Sequence, residues 1–480
     1  MVDGQDTPNA YDEIAYPPST FRQTHPDRLG ADAILFGLTP ALAGDCRVLE
    51  IGAGDGSNLI PMALAYPEGR FVGFDLAAAP VRRGLETIAA LGLSNIRLFQ
   101  ADITSIALEP ETFDYVIAHG IYSWVPDHVR DAMMRLVRRS LAPQGVAFVS
   151  YNALPGSYVR LAIRRDLLLN VRGVAGRTAK VEAAMRRLKS WPDPSRQQKP
   201  FQRAMAEEAD QMRRRSFAAL AHDELSDVYH PVYLEDFADH CAANDLKILV
   251  ESDPKEIGAW FAPPTVTERV EEDVLARAQQ SDIAGIRLFH QSLLVRRETD
   301  IHRRPRTALL GGLHVSLRAR RSADGRFSSE GGVSFSVPDP AMADTLERLA
   351  GMWPSTAPVA SLGFNQAGLD ALAGLYALDA VELVAAPSRF ITRPGERPAA
   401  SPLARLQARR GDARLTTLRH TMTDVDNDFT RDFVAALDGG RTRVEIARDI
   451  APHFNLAPAA AADGLNTLLE VLARTPLLIQ

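Results

Sequence analysis

The stretch CRVLEIGAGDGSNLIPMALAY, Cys46 to Tyr66, decides how the first half of the chain is read. CRVLEI (46–51) is an apolar run of strand length, and LIPMALAY repeats apolar residues at helical spacing. Between them GAGDGSN places Gly52, Gly54 and Gly56 in a turn. Glycines there allow a tight bend and let a ligand come close to the backbone, while the amides of the following helix point toward it. A glycine-rich turn alone says little about the ligand. Glu50 says more, because it stands inside the strand just before the first glycine, where a dinucleotide-binding fold has an apolar residue. A carboxylate there suits a ligand that carries a cation.

Working outward, the same alternation continues. RFVGFD (70–75) reads as a second strand and PVRRGLETIAALG (80–92) as its helix, ended by Gly92 in a left-handed cap. NIRLFQADI, FDYVIAHG and GVAFVSYN (145–152) supply the third, fourth and fifth strands. The order is that of a parallel sheet with crossover helices. Asp75 closes the second strand, where an acidic side chain bonds both hydroxyls of a ribose. Asp102, after the third, can accept from an exocyclic adenine amine, and Ile103 can pack on the ring. Glu50 and Asp75 together predict a cationic, ribose-bearing ligand.

The bulk numbers exclude several classes. With 480 residues, 46% hydrophobic and 24% charged, the chain can bury a large core without staples and predicts roughly three domains. Cys46 and Cys241 are too few for a disulfide framework or a thiolate zinc site, which fits a reducing, cytoplasmic setting. The N-terminus lacks a basic-then-apolar signal and no window is long and apolar enough to span a membrane. A net charge of −6 argues against non-specific nucleic-acid binding. Fifteen basic against six acidic residues between Arg160 and Arg215 form a local patch, read first as solvated helix faces.

Glu-x-Gly-x-Gly-x-Gly, FDL and ADI in this order resemble class I S-adenosylmethionine-dependent methyltransferases. YDEIAYPPSTFRQTHPDRLGADAILFGL (11–38), GSNLIPMA, AHGIYSWVP, VSYNALPG and HDELSDVYHPVYLEDF look like the bacterial group that carries a methyltransferase regulatory domain, which includes the rickettsial-type protein lysine methyltransferases. The likeness spans roughly residues 11 to 310. It implies an α/β Rossmann-like methyltransferase sheet and S-adenosyl-L-methionine as cofactor. It also implies a cofactor set of Glu50, Gly52, Ala53, Gly54, Asn58, Asp75, Leu76, Asp102, Ile103, Ala118 and His119. An N-terminal arm (1–30) is expected to fold over the cofactor, with Tyr16, Gln23, Thr24 or His25 reaching its methionine end.

A methyltransferase of this class follows its fifth strand with a helix and a sixth strand, and YLEDFADHCAANDLKILVES (233–252) supplies both, with Asn244 as a left-handed stop. The core is then 31–153 plus 230–260, and 154–229 is a helical insertion, serving as a lid over the site or as a dimerisation hairpin. Residues 261–395 read as a middle, regulatory-type domain. In it VEEDVLARAQQSDIAGIRLFHQSLL suggests helices, HVSLRARRSADGRFSSEGGVSFSVPD a hairpin turning at Asp324-Gly325, and PAMADTLERLAGMWPSTAPVASL the start of a helix-turn-helix. SPLARLQARRGDAR (401–414) reads as a linker, and 400–480 as a winged-helix-like unit in which Gly439 and Gly440 end one helix and Thr442 caps the next. Such helix pairs are expected to pack against protein rather than read DNA.

Methyl transfer from a sulfonium is an in-line displacement, so the protein must align the acceptor and free a lone pair on it. No metal-ligand spacing or nucleophilic cysteine is expected. Tyr122 and Trp124 are candidates for the acceptor side, where aromatic rings lower an amine pKa by desolvation. His119 is a candidate base or a satisfied strand-end histidine. Transfer to nitrogen, with a protein lysine as the acceptor, is the first expectation. A small-molecule N- or O-methyltransferase and a non-catalytic cofactor-binding regulator are the alternatives.

Overall fold

The computed structural model describes residues 10–108, 112–254, 256–257, 270–329 and 332–479. The first nine residues of the arm and the boundary expected near 261 lie outside the described residues. The five apolar runs form β1 (Arg47–Ile51), β2 (Arg70–Asp75), β3 (Ile96–Gln100), β4 (Phe113–Ala118) and β5 (Leu141–Asn152). Apart from the edge strand β3, which alternates, their buried patterns are nearly unbroken, as expected of strands covered on both faces. With β6 (Leu246–Glu251) and β7 (Phe289–Arg296) they make one sheet in the order β3-β2-β1-β4-β5-β7-β6. β1 to β5 pair in parallel, and the order reverses between β1 and β4. Ligands of open α/β sheets bind at such a switch point, outside the carboxyl ends of the strands.

β7 corrects the helical reading of the segment around IRLFHQSLL. The helix Val270–Gly285 ends, and the chain then runs antiparallel between β5 and β6. Leu293, Leu294 and Val295 are fully buried there. A short apolar run with neighbours on both faces carries no alternation to mark it as a strand, so the pairing partners decide. The stop of the helix Leu234–Ala243 also differs: the left-handed residue is Asp245, φ 53°, not Asn244. Gly92, φ 65°, does cap its helix as expected.

The chain leaves β5 into the helices Ser157–Asn170, Arg177–Lys189 and Pro200–Arg213, then a short π-helical turn, Leu220–Glu224. Ile163, Leu167, Val181, Leu188, Met212 and Leu220 give this part its own core, with Ile14 of the arm packed on it. Further on, His314–Ser316, Ala357–Pro358 and Glu382–Val384 form a small sheet. That sheet docks on the helix Pro26–Leu35, where the Ala385 amide donates to the Asp27 carbonyl at 2.8 Å. Ala319–Arg321 and Phe327–Ser329 pair as a hairpin around Gly325, φ 83°. The helix Pro340–Gly351 is followed by the strand Ala357–Pro358 and a 3-10 turn, so it does not open a helix-turn-helix.

The expected linker is another correction. Pro402–Arg410 is a helix with Pro402 in its first turn, Gly411 as left-handed cap, and Leu403, Ala404 and Ala408 buried. Proline at a helix start is pre-organised rather than disruptive, which the proline-rich context concealed. This helix packs with Asp428–Ala436, Arg443–Ile450 and Pro458–Arg474 around a separate apolar core. Thr442 caps as expected, exchanging bonds with Glu445 in a capping box. Among the described residues no helix is long and apolar enough to cross a membrane.

Gly84 sets how closely the helix Ala78–Leu91 can approach the glycine turn, because a Cβ there would collide with the Asp55 carbonyl and the Leu98 side chain. Gly84→Val is expected to lower stability by at least ~1–3 kcal/mol through overpacking. A urea midpoint that falls at unchanged slope would bear this out, and an unchanged midpoint would contradict it.

Candidate active site

The glycine turn is fastened from both sides. Ala53 donates its amide to the Phe74 carbonyl at 2.9 Å, which stitches the end of β1 to β2. Asp75 closes the loop: Oδ2 accepts from the Gly54 amide and Oδ1 from the Ala77 amide, each at 2.9 Å. Burial raises the Asp75 carboxyl above its usual range, and the two amides work against that rise. Gly54 has φ 54°, and a Cβ there would meet nothing within 4 Å, so open space lies over the turn. Leu76 is exposed beside it, and Asp102 and Ile103 follow β3 at the same edge. Asp102 Oδ1 is turned back on its own loop, accepting from the Thr104 amide and hydroxyl at 2.7 Å.

Glu50 is almost fully buried. Oε1 accepts from Asn58 Nδ2 at 2.8 Å and Oε2 accepts no hydrogen bond. Burial pushes its carboxyl up to about 8, and the nearby Asp55 and Asp75 add to the rise. A buried carboxyl oxygen without a partner is a costly arrangement, and a cationic ligand would resolve it by drawing off the proton and pairing with the carboxylate.

Asn58 holds more than Glu50. Its Nδ2 also donates to Thr24 Oγ1 at 3.0 Å, and its Oδ1 accepts from the Phe21 amide at 2.9 Å and from His420 Nε2 at 2.7 Å. One amide thus joins β1, the N-terminal arm and the C-terminal domain. His420 is held neutral, well below the ordinary imidazole value, by burial first and by His25 and Arg22 next. Its ring lies 5.0 Å from that of His25. His25 is turned from the glycine turn: Nδ1 bonds Asp27 at 2.6 Å and caps the helix Pro26–Leu35.

The rest of the arm divides. Phe21 sets its ring edge against His119, centroids 4.0 Å apart. Thr24 is buried on Asn58, whereas Gln23 lines a cavity beyond the arm and its carbonyl accepts from Ser252 Oγ at 3.2 Å. Tyr16 lies against the insertion, 5.8 Å from the His222 ring. Tyr11 stacks on His222 at 4.2 Å, and its hydroxyl is pushed up to about 12 by burial, by Asp223 and by Asp75. Tyr11 therefore ties the arm to the insertion through His222.

Ala118 ends β4 fully buried, and His119 follows with Nδ1 2.8 Å from Ser150 Oγ, which also accepts from the Gly120 amide at 2.8 Å. Burial lowers His119 to about 4, so it is neutral at ordinary pH, ringed by Phe21, Phe148 and Phe289. Tyr122 is turned inward by the 3-10 turn Tyr122–Trp124. Its hydroxyl meets His240 Nδ1 at 2.8 Å, His240 meets Asp131 at 3.0 Å, and its ring packs on Tyr151 and Phe237. Trp124 lies 4.9 Å from Tyr229, and the guanidiniums of Arg160 and Arg164 stand over both rings at 4.6–5.5 Å. Arg160 is paired with the fully buried Glu224 at 2.8 Å. Two members of the basic patch are thus structural partners of Trp124, not solvated.

Sequence reading missed Ser150, Glu224 and His420. A serine inside the apolar run VAFVSYN was a usable signal for Ser150; nothing local marks His420. Metal-ligand types also meet where spacing shows none: Glu251, Glu256 and His290 on the β6–β7 side. Burial opposes charge on His290, but Glu251 at 3.2 Å and Asp282 at 2.9 Å raise it to about 10, so the imidazolium itself matches the carboxylates.

A sheet with this strand order, parallel but for β7, together with a glycine turn and an acid closing β2, defines a methyltransferase-type nucleotide site. Comparison with known proteins agrees. Residues 48–145 match a methyltransferase domain, 216–296 a predicted methyltransferase regulatory domain, and 396–473 a PKMT C-terminal winged-helix domain. An uncharacterized protein of Rickettsia prowazekii is 31% identical over 241 residues, covering 50% of this chain and 96% of that one. Another from the same organism is 31% identical over 301 residues, and the match spans 62% of this chain but only about half, 54%, of that relative. The solved structure of PKMT2 from Rickettsia typhi superposes with a TM-score of 0.82 at 22% identity, covering 97% of this chain and all of that one; the same protein has been solved in complex with AdoHcy. The chain belongs to the class I S-adenosylmethionine-dependent methyltransferases of the rickettsial PKMT type.

Replacing Asn58 by Ala is expected to cost ~1–3 kcal/mol for each buried partner left unpaired, Glu50 and His420 first. Tyr122→Phe removes one bond to His240 and is expected to cost only ~0.5–1.5 kcal/mol. Chemical denaturation of the two variants checks the ranking; a Tyr122→Phe protein less stable than Asn58→Ala would contradict it.

Proposed function

We propose that the chain transfers a methyl group from S-adenosyl-L-methionine to an amine nitrogen, with a protein lysine as the acceptor class. The observation that carries the cofactor part is the buried Glu50 oxygen with no donor, beside an open Gly54 and a ribose-side Asp75. In this reading Glu50 and Asn58 hold the cationic methionine end, and Asp75 takes the ribose hydroxyls while keeping its bonds to Gly54 and Ala77. Ala53 and Gly52 let the turn approach, Leu76 and Ile103 flank the adenine, and Asp102 meets its amine after releasing Thr104. The bound cofactor supplies an activated methyl on a sulfonium, which leaves as a neutral thioether on in-line attack.

The acceptor side is assigned to the aromatic ring of residues around His119, not to Tyr122 and Trp124, whose polar and aromatic faces are already engaged. Phe21 and Phe289 beside a neutral His119 make a poorly solvated approach, which favours the uncharged amine. His119 positions the acceptor rather than taking its proton, since an imidazole lowered to about 4 is too weak a base for an ammonium. The likeness to the PKMT-type winged-helix model supports a protein acceptor.

Two measurements test this. Asp75→Ala and Gly54→Val should each weaken calorimetric binding of S-adenosylhomocysteine by about tenfold or more, as expected for loss of a 1.4 kcal/mol interaction; unchanged binding would sink the cofactor placement. With labelled cofactor and lysine-containing acceptor proteins, kcat/KM should rise with pH along a single limb. A second limb near the ordinary imidazole value, removed by His119→Asn, would make His119 a base after all.

A further inference from the structure

A cavity of about 840 Å³ is lined on the arm by Arg22 and Gln23, and none of Glu50, Gly54, Asp75 or His119 lines it. Its walls come from the arm, the small middle sheet, the C-terminal domain and the β6–β7 side of the large sheet, through Ser252, Asp253 and Gln291. Five arginines line it: Arg22, Arg28, Arg318, Arg419 and Arg474. Against them stand three acids, Asp253, Asp379 and Glu382.

One of these acids, Glu382, is shared. Glu382 serves two guanidiniums at once, accepting from Arg22 at 2.6 Å and pairing with Arg419, while Arg22 also pairs with Asp27 at 2.7 Å. Arg419 also donates to the Pro354 carbonyl at 2.6 Å and sits over the Trp353 ring at 4.2 Å, with Arg318 over the same ring at 5.4 Å. Arg419 is pulled down to about 9 by burial first and then by Arg22, Arg28 and Arg318 around it. Arg419 keeps its charge at neutral pH, so it stands as a buried cation among other cations, a setting that an anion would relieve. The volume is that of an ordinary small-molecule site.

We propose that this cavity binds a small polyanion carrying two or more carboxylate or phosphate groups, which clamps the C-terminal domain to the N-terminal arm. The guanidinium forks match such groups bidentately, and they come from elements far apart in the chain, so one ligand with separated charges can bridge them. Phe21 and Arg22 are neighbours on the arm. A ligand on Arg22 therefore pulls on the segment that Asn58 and His119 hold, and the site is that of an effector distinct from the cofactor.

The test is titration calorimetry of the intact protein with pyrophosphate and, separately, with citrate, at constant ionic strength. Saturable one-to-one binding of one probe or both is expected, and which probe binds separates phosphate from carboxylate chemistry. Arg318 and Arg474 are exposed at the cavity wall, so Arg318→Ala and Arg474→Ala should leave the fold intact and weaken that binding about tenfold each. Arg320→Ala, exposed but outside the cavity, should not change it. S-adenosylhomocysteine should bind alongside the probe. No saturation with either probe, equal loss in all three variants, or displacement of the probe by S-adenosylhomocysteine would overturn the assignment.

Discussion

The Asn58 side-chain amide is the joint on which the site depends. Its oxygen and nitrogen reach Glu50 on β1, Phe21 and Thr24 on the arm, and His420 in the C-terminal domain, and all but the Phe21 contact are fully buried. Buried polar groups must be paired, so these parts form together or leave each other unsatisfied. The C-terminal domain is therefore part of the cofactor turn's support, although it follows that turn by 362 positions. This gives a physical meaning to the association of a winged-helix unit with a methyltransferase sheet: it fixes the orientation of the residue that fixes Glu50.

A second layer of contacts closes the site from the insertion side. Tyr11 on His222, Ile14 on the insertion's core, and the Arg160–Glu224 pair over Trp124 join the arm, the end of β4 and the helices after β5. The paired charges here are desolvated, and breaking one side of such a pair costs far more than the pair contributes when formed. The cover is thus specified in its position. With Phe21 against a neutral His119, the approach to the carboxyl edge of the sheet is aromatic and dry, which suits an acceptor that must give up its charge before it reacts.

The sheet was legible in the sequence wherever a local pattern carries the information. The run CRVLEI, the positive-φ glycines of the turn, Asp75 at the end of β2 and the Gly92 cap are short-range features, and each stands where its chemistry requires. β7 was not legible, because Leu293, Leu294 and Val295 have partners on both faces and show no alternation. The helix Pro402–Arg410 was hidden by prolines whose position at a helix start reverses their usual meaning. AHGIYSWVP was half legible: His119 lies at the edge, while the 3-10 turn takes Tyr122 inward to His240, a partner 118 positions away. Long-range polar contacts such as Asn58 to His420 leave no periodic trace, so only the folded chain reveals them.

The claim that the Glu50 pocket receives a cationic cofactor has a direct consequence in protons. Because burial raises the free carboxyl to about 8, Glu50 holds a proton at neutral pH, and its contribution to folding stability declines as pH rises from the ordinary carboxylate value through 8. A bound cation reverses the preference and drives that proton off. Titrating S-adenosyl-L-methionine into the protein at pH 7 in buffers of different ionisation enthalpy measures the release. Net release approaching one proton per site, absent from Glu50→Gln and from titrations above pH 9, is the predicted result. Binding with no proton exchange at pH 7, or exchange unchanged in Glu50→Gln, would contradict it.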